Sequence, residues 1–426
     1  MATSRLWKAL GASYPVFEVT TDAHGTFTDD RLISLVTERG AGPVGLAPGT
    51  AEVVVRGVVP SQPATADQNA RVRLTTYGAV LLEQLTGYAR DFLADRWFGR
   101  ISGQRVDDQG DGPSGQARTT TTLTCADWAN TVTQIDPDFY VQPDNPALLP
   151  LYQRAFTAAN VPTVGTLSGL GSSWDVVYFE PPPAAFDVTA ADAFGKYAAD
   201  LGVLIRTRRS GHPQAIAVDH RQYEGAHWAD VAPAPLLRHQ VVRPVAWEQA
   251  ATNTSRIVHK YRSPANPSAV VTRTVTLGSP SVVLHTEELD LSHVIASTTH
   301  LDAANARLYR NASSRYAVRT VKLDLLALLT RNDPGDRALV GQTLTREQGD
   351  VIALAYDWPP EVHGVYFIDR IRESVTNTSW VVELDLSPHN HVTGLPSPPV
   401  PGPTWDSHYP RLTTWEGTNP DRWEDV

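Results

Sequence analysis

Apolar and polar positions alternate in short runs along much of this chain, and glycine, proline and small polar residues bound the runs. Residues 14–20 and 51–57 are rich in β-branched side chains and end in turn formers, which predicts strands. At 71–76, Val72, Leu74 and Thr76 alternate with Arg71, Arg73 and Thr75, the period of a half-buried strand. Residues 97–101 (Trp-Phe-Gly-Arg-Ile) predict another strand. The polar, glycine-rich stretch 103–115 predicts a loop, and the threonine run 119–125 resumes the sheet. The first segment therefore predicts a small β-barrel or sandwich containing a hairpin with a long loop.

The pattern changes at Asp127. This residue can cap a helix carrying Trp128, Val132 and Ile135, with apolar spacings of four and three. Residues 187–201 predict an amphipathic helix with Val188, Ala191 and Phe194 or Tyr197 inward. Two strands follow, 202–206 and 215–219, joined by a turn through Gly211, His212 and Pro213. From about 240 the β pattern returns at 257–261, 269–277 and 281–284, with a helix predicted at 301–312. Residues 364–375 and 380–386 predict a closing hairpin in which Val382, Leu384 and Leu386 share one face. After 393 the chain is proline-rich, an extended tail studded with Trp405, Tyr409, Trp415 and Trp423. The expected fold class is α+β and β-rich. Two small β-barrel-like domains, 1–125 and 235–392, flank an α+β insertion at 126–234, and an extended tail occupies 393–426.

The order of several phrases within that plan resembles the baseplate-hub, or tail-associated, family of minor tail proteins of long-tailed bacteriophages. The first is 97–101 followed by 122–128 (Thr-Leu-Thr-Cys-Ala-Asp-Trp). The second is the helix 187–201 leading into Gly202 and its hairpin. The third is Asn253, then Ile257, Val258 and Tyr261. The fourth is 349–352 with the hairpin ending at 384–388 (Leu-Asp-Leu-Ser-Pro). The resemblance covers about 14–390, and its weight lies in order and spacing, since each phrase alone encodes common strand, turn and cap chemistry. It implies a non-enzymatic scaffold: a homotrimer whose six barrels match a hexameric ring and surround a channel for the genome. The partners implied are further copies of this chain, the distal tail or tail-tube ring protein, other minor tail proteins, and phage DNA in transit without specific binding. The place implied is the virion, at the tail tip, after synthesis in the host cytoplasm.

Composition narrows the alternatives. The chain has 426 residues, 42% hydrophobic and 19% charged, enough to bury a substantial core. A formal net charge of -10 argues against a nucleic-acid-binding surface and suits a channel wall that repels phosphate; ordinary solubility explains it equally well. One cysteine, Cys125, excludes an intrachain disulfide, and its alternation with Leu123 predicts a buried structural thiol. The first residues carry no continuous apolar segment, so no signal peptide is expected, and no run reaches the ~18 apolar residues of a membrane span.

No catalytic constellation emerges: there is no nucleophile elbow, and the glycines of 165–171 lack the ending of a phosphate loop. Asp107 and Asp111 begin a calcium-loop spacing that fails at its twelfth position, Arg118. His389 and His391 point the same way on an extended chain and would meet at a threefold axis as metal ligands, although their place before a proline linker favours an exposed tether. No cofactor is expected. The rival reading is an envelope-directed carbohydrate-binding module or glycoside hydrolase, which 11 tryptophans and abundant carboxylates leave open.

Overall fold

The computed structural model describes residues 5–22, 24–40, 45–60, 69–111, 117–132, 177–178, 203–217, 234–237, 242–249, 256–276, 286–296, 316–331, 333–355 and 364–388. Among these, the chain runs α1 (Arg5–Lys8), β1 (Phe17–Thr21), β2 (Gly25–Thr28), β3 (Leu32–Arg39), β4 (Gly45–Ala47), β5 (Gly49–Arg56) and β6 (Asn69–Leu74). It continues through α2 (Thr76–Thr86), α3 (Arg90–Ala94), β7 (Asp95–Asp111), β8 (Ala117–Ala126), α4 (Trp128–Val132), β9 (Val177–Tyr178), β10 (Val203–Thr207) and β11 (Pro213–Ala217). Then come β12 (Ala234–Leu237), β13 (Val242–Gln249), β14 (Arg256–Ser263), β15 (Asn266–Thr276), β16 (Thr286–Ile295) and β17 (Tyr316–Asp324). The last elements are α5 (Leu325–Thr330), α6 (Pro334–Thr345), β18 (Val351–Ala355), β19 (Gly364–Thr376) and β20 (Trp380–Pro388).

Thirteen of these strands form one large sheet, in the order β13, β17, β20, β19, β3, β5, β8, β7, β6, β1, β2, with β18 beside β19 and β12 beside β18. The pairing is antiparallel except between β12 and β18. So large a twisted sheet curls rather than lying flat. Its strands obey the expected alternation: β6 buries every second residue, and Trp380, Val382, Leu384 and Leu386 of β20 are all buried. The join between β19 and β3, from Ile371 opposite Arg39 to Thr376 opposite Ser34, unites segments more than 300 residues apart. A common core follows from that join. Trp7, Phe17 and Trp380 pack ring against ring, with centroids 5.3–5.7 Å apart.

Two smaller sheets lie outside the large one: β11, β10 and β4, and β15, β14, β16 and β9. The expected hairpin is present, with bounds shifted by one or two residues: Val203 lies opposite Ala217 and Thr207 opposite Pro213, so Pro213, expected in the turn, opens β11. Two expectations are corrected. The stretch 103–115 is not a loop throughout: β7 continues to Asp111, and register shifts at Ile101/Gly103 and Asp108/Asp111 absorb the glycines as bulges. The strand 71–76 ends at Leu74, because Thr75 caps α2 by accepting from the Gly78 N–H at 3.0 Å. The predicted helices at 187–201 and 301–312, the strand at 281–284 and the tail 393–426 lie outside the described residues.

Candidate functional site

Where the two halves of the large sheet meet the β10–β11 hairpin, charged side chains from distant parts of the chain are buried together. Glu347 follows α6 in the turn before β18, and its backbone N–H donates to Asp350 Oδ2 at 2.8 Å. Its carboxylate accepts from Arg39 at the end of β3, and from the Nε and backbone N–H of Arg209 in the hairpin turn, at 2.9 and 3.2 Å. Arg209 also donates to the Arg346 carbonyl at 2.9 Å. Arg206 reaches Gln214 Oε1 through two donors, at 2.7 and 2.9 Å, and lies 3.5 Å from Asp350.

Beside this group, Arg96 of β7 grips Glu373 of β19 through Nε and Nη2 at 3.2 and 2.7 Å, and caps the Leu344 carbonyl at 2.8 Å. The other oxygen of Glu373 accepts from Trp380 Nε1 at 2.8 Å. Both side chains of the Arg96–Glu373 pair are 2% exposed, so the pair is fully desolvated. Burial works hardest against the charge of Glu347, yet Arg209, Arg39 and Arg206 outweigh it and hold the carboxyl well below the usual range. Burial likewise opposes ionisation of Glu373, and Arg96 overrides it. Burial lowers Arg39 to about 10, still charged at neutral pH.

A third carboxyl, Asp127, links β5, α4 and the hairpin. Its backbone N–H donates to the Gly49 carbonyl at 2.9 Å, and its side chain caps α4 at the Asn130 N–H, 3.1 Å away. Burial pushes it up to about 7, against hydrogen bonds from Gly49, Asn130 and Thr207. Gly49 leaves it room: a Cβ there would meet Asp127 Oδ2 and the Glu38 carbonyl at 2.9 Å. The hairpin turn closes over Phe98, whose ring occupies the space a side chain on Gly211 would need.

The chemistry of this arrangement is structural. Guanidinium and carboxylate groups pair with each other and with backbone carbonyls, Arg209 Nη1 excepted, and burial closes them off. Cys125 faces the core beside Leu123, and burial pushes its thiol up to about 12, far from a nucleophile's range. Asp107 accepts from Arg105 Nε at 2.9 Å, and Asp108 from the Gly110 N–H at 3.0 Å. Among the described residues no group of three His, Cys, Asp or Glu could hold a metal ion. No described helix is long and apolar enough to cross a membrane. His389, His391, Trp405, Tyr409, Trp415, Trp423 and the 165–171 stretch lie outside the described residues.

The sequence does signal part of the seam. Glu373 falls on the inward parity of β19 between Ile371 and Val375, and Arg39 shares the buried side of β3 with Leu35 and Thr37. A charge at an inward position needs a partner. Which partner is a long-range fact that alternation cannot supply.

No family model matches the chain, and no curated protein matches it. Solved structures do. The 43 kDa tail protein of prophage MuSo2 from Shewanella oneidensis superposes with a TM-score of 0.51 at 10% identity, over 88% of this chain and 98% of that one. The chain shares the fold of that tail protein. The tail protein of Neisseria meningitidis MC58 aligns with a TM-score of 0.49 at 13% identity, over 87% of this chain and 96% of its own. An Escherichia coli component of the type VI secretion system, itself described as similar to the T4 tail proteins gp27 and gp5, aligns at 0.43 and 10% identity, over 86% and 76%. In this tail-protein fold the buried seam sits at the crossing of the sheet's two halves and the hairpin between them.

Proposed function

We propose that the chain is a non-enzymatic structural protein of a phage tail: a subunit of a threefold hub at the tail tip that adapts the symmetry of the tail and surrounds the path of the genome. The observation that carries this reading is the tail-protein fold, matched along nearly the whole length of the MuSo2 protein. Its build supports a scaffold role. One large sheet runs through both halves of the described body, and the charged groups buried in it are tied to one another. The partners are two further copies of the chain, the distal tail or tail-tube ring, and other minor tail proteins, all within the virion. The net charge of -10 suits a channel along which DNA slides without sticking.

The hydrolase rival has little to draw on among the described residues. A shallow recess bounded by Trp7, Phe17, Leu35 and Val375 contains the carboxyl of Asp29. Its two oxygens accept from the Val16 and Phe17 N–H groups, at 3.0 and 2.8 Å, which is capping work. Electron cryomicroscopy of particles carrying an epitope-tagged copy tests the placement. Tag density is expected at the distal end of the tail. Tag density confined to the capsid, or envelope-degrading activity in the purified chain, would overturn it.

A further inference from the structure

Two buried carboxylates in the seam hold different things. Glu373 ties strand to strand within the large sheet: β19 to β7 through Arg96, and β19 to β20 through Trp380. Glu347 ties the sheet to the hairpin, because its partners are Arg39 in β3 and Arg209 in the β10–β11 turn. We propose that the hairpin 203–217 is a detachable clasp, an element that opens as a unit while the join between β3 and β19 stays shut, and that Glu347 is its fastening.

The geometry distinguishes the two attachments. The join between β3 and β19 is a ladder of six residue pairs continued by sheet on both sides. The hairpin belongs to a separate three-stranded sheet, and among the described residues its pairing to the rest of the body is three residue pairs with the short strand β4. The rest of its hold among the described residues is the buried body of β10, where Val203, Leu204 and Ile205 are closed off and Thr207 bonds Asp127, and the tip: Arg209 on Glu347 and the Arg346 carbonyl, Arg206 near Asp350, and Gly211 against Phe98. Neutralising Glu347 affects its partners unequally. Arg39 still has Glu373 nearby to favour its charge. Arg209 keeps a single carbonyl, and its Nη1 already lacks a partner in the buried seam. A buried cation left without its anion is relieved most readily by moving into water, and the hairpin tip is the part able to move.

Hydrogen exchange on the full chain tests this. In Arg209→Met, amides of 203–217 are expected to exchange about tenfold faster or more, while 32–39 and 371–376 stay within about twofold of the unaltered protein. Glu347→Gln should give the same pattern, since it removes the anion of Arg209 while Arg39 keeps Glu373 nearby; if that variant does not fold, Arg209→Met alone decides. Glu373→Gln should do the opposite, loosening 371–376 and 95–100 more than 203–217. Hairpin protection unchanged in Arg209→Met, or hairpin and join loosened together, overturns the proposal.

Discussion

At the scale of single residues, the buried charges of the seam specify position more than they add stability. A desolvated ion pair roughly repays its own desolvation, whereas severing it leaves a charge with nowhere to go. Arg96→Met is therefore expected to cost about 3–5 kcal/mol in chemical denaturation, and Arg96→Met with Glu373→Gln to recover roughly half of that. A double variant as unstable as the sum of the two singles would show that Arg96 and Glu373 do not act as a pair. Asp127 makes a prediction of opposite character. Its ordinary value is 3.8 and the fold raises it to about 7, so between these values the folded state binds more protons than the unfolded one. Its contribution to stability is present in full below about pH 4 and is lost as pH rises to about 7. Asp29, raised to about 6 chiefly by burial, adds a smaller slope of the same sign. Asp127→Asn should flatten the decline measured by urea unfolding at intervals from pH 4 to 8; an unchanged slope would refute this account of Asp127.

At the scale of elements, glycine shows how one substitution fails for two reasons. In α2, a Cβ on Gly78 would approach the Val16 carbonyl at 2.3 Å, so Gly78→Ala must push the helix off the sheet, at about 1–3 kcal/mol. Gly87 ends the same helix with φ 76 and open space around it, so Gly87→Ala pays only for the left-handed backbone, about 1 kcal/mol. Thermal melts that rank the two in reverse order would contradict this packing.

Elements were legible where local pattern decides them. The alternation at 380–386 and the turn at Gly211 both led to observed strands, and the cap at Asp127 to an observed helix start. They were misread where tertiary context overrode local signal. The glycines after 103 read as breakers, yet bulges let β7 carry them, and Thr76 continued an alternation that the Thr75 cap had already ended. The pairing of β19 with β3 had no local signature at all, because its partners are more than 300 residues apart. The seam was half legible for that reason: the inward charges could be read, and their partners could not.

At the scale of the whole molecule, the proposed hub is a part made to be joined to others. We propose the same role for the tail 393–426, which lies outside the described residues. Its prolines restrict the free chain and so lower the ordering cost of docking. Its four aromatics would be spread over roughly 55 Å at ~3.1 Å per residue, too far for one cluster and suited to separate pockets on a neighbouring subunit. Deleting 395–426 is expected to leave the melting transition of the body in place while incorporation into tails falls; truncated protein that builds complete, infectious tails would remove the segment from the account. The central claim, a threefold hub, meets its most direct test in the number of copies per particle, measured by quantitative mass spectrometry of purified virions against a single-copy-per-tail standard. Three copies per tail is the predicted result. Absence from the purified particle, or a copy number that is not a multiple of three, would contradict it.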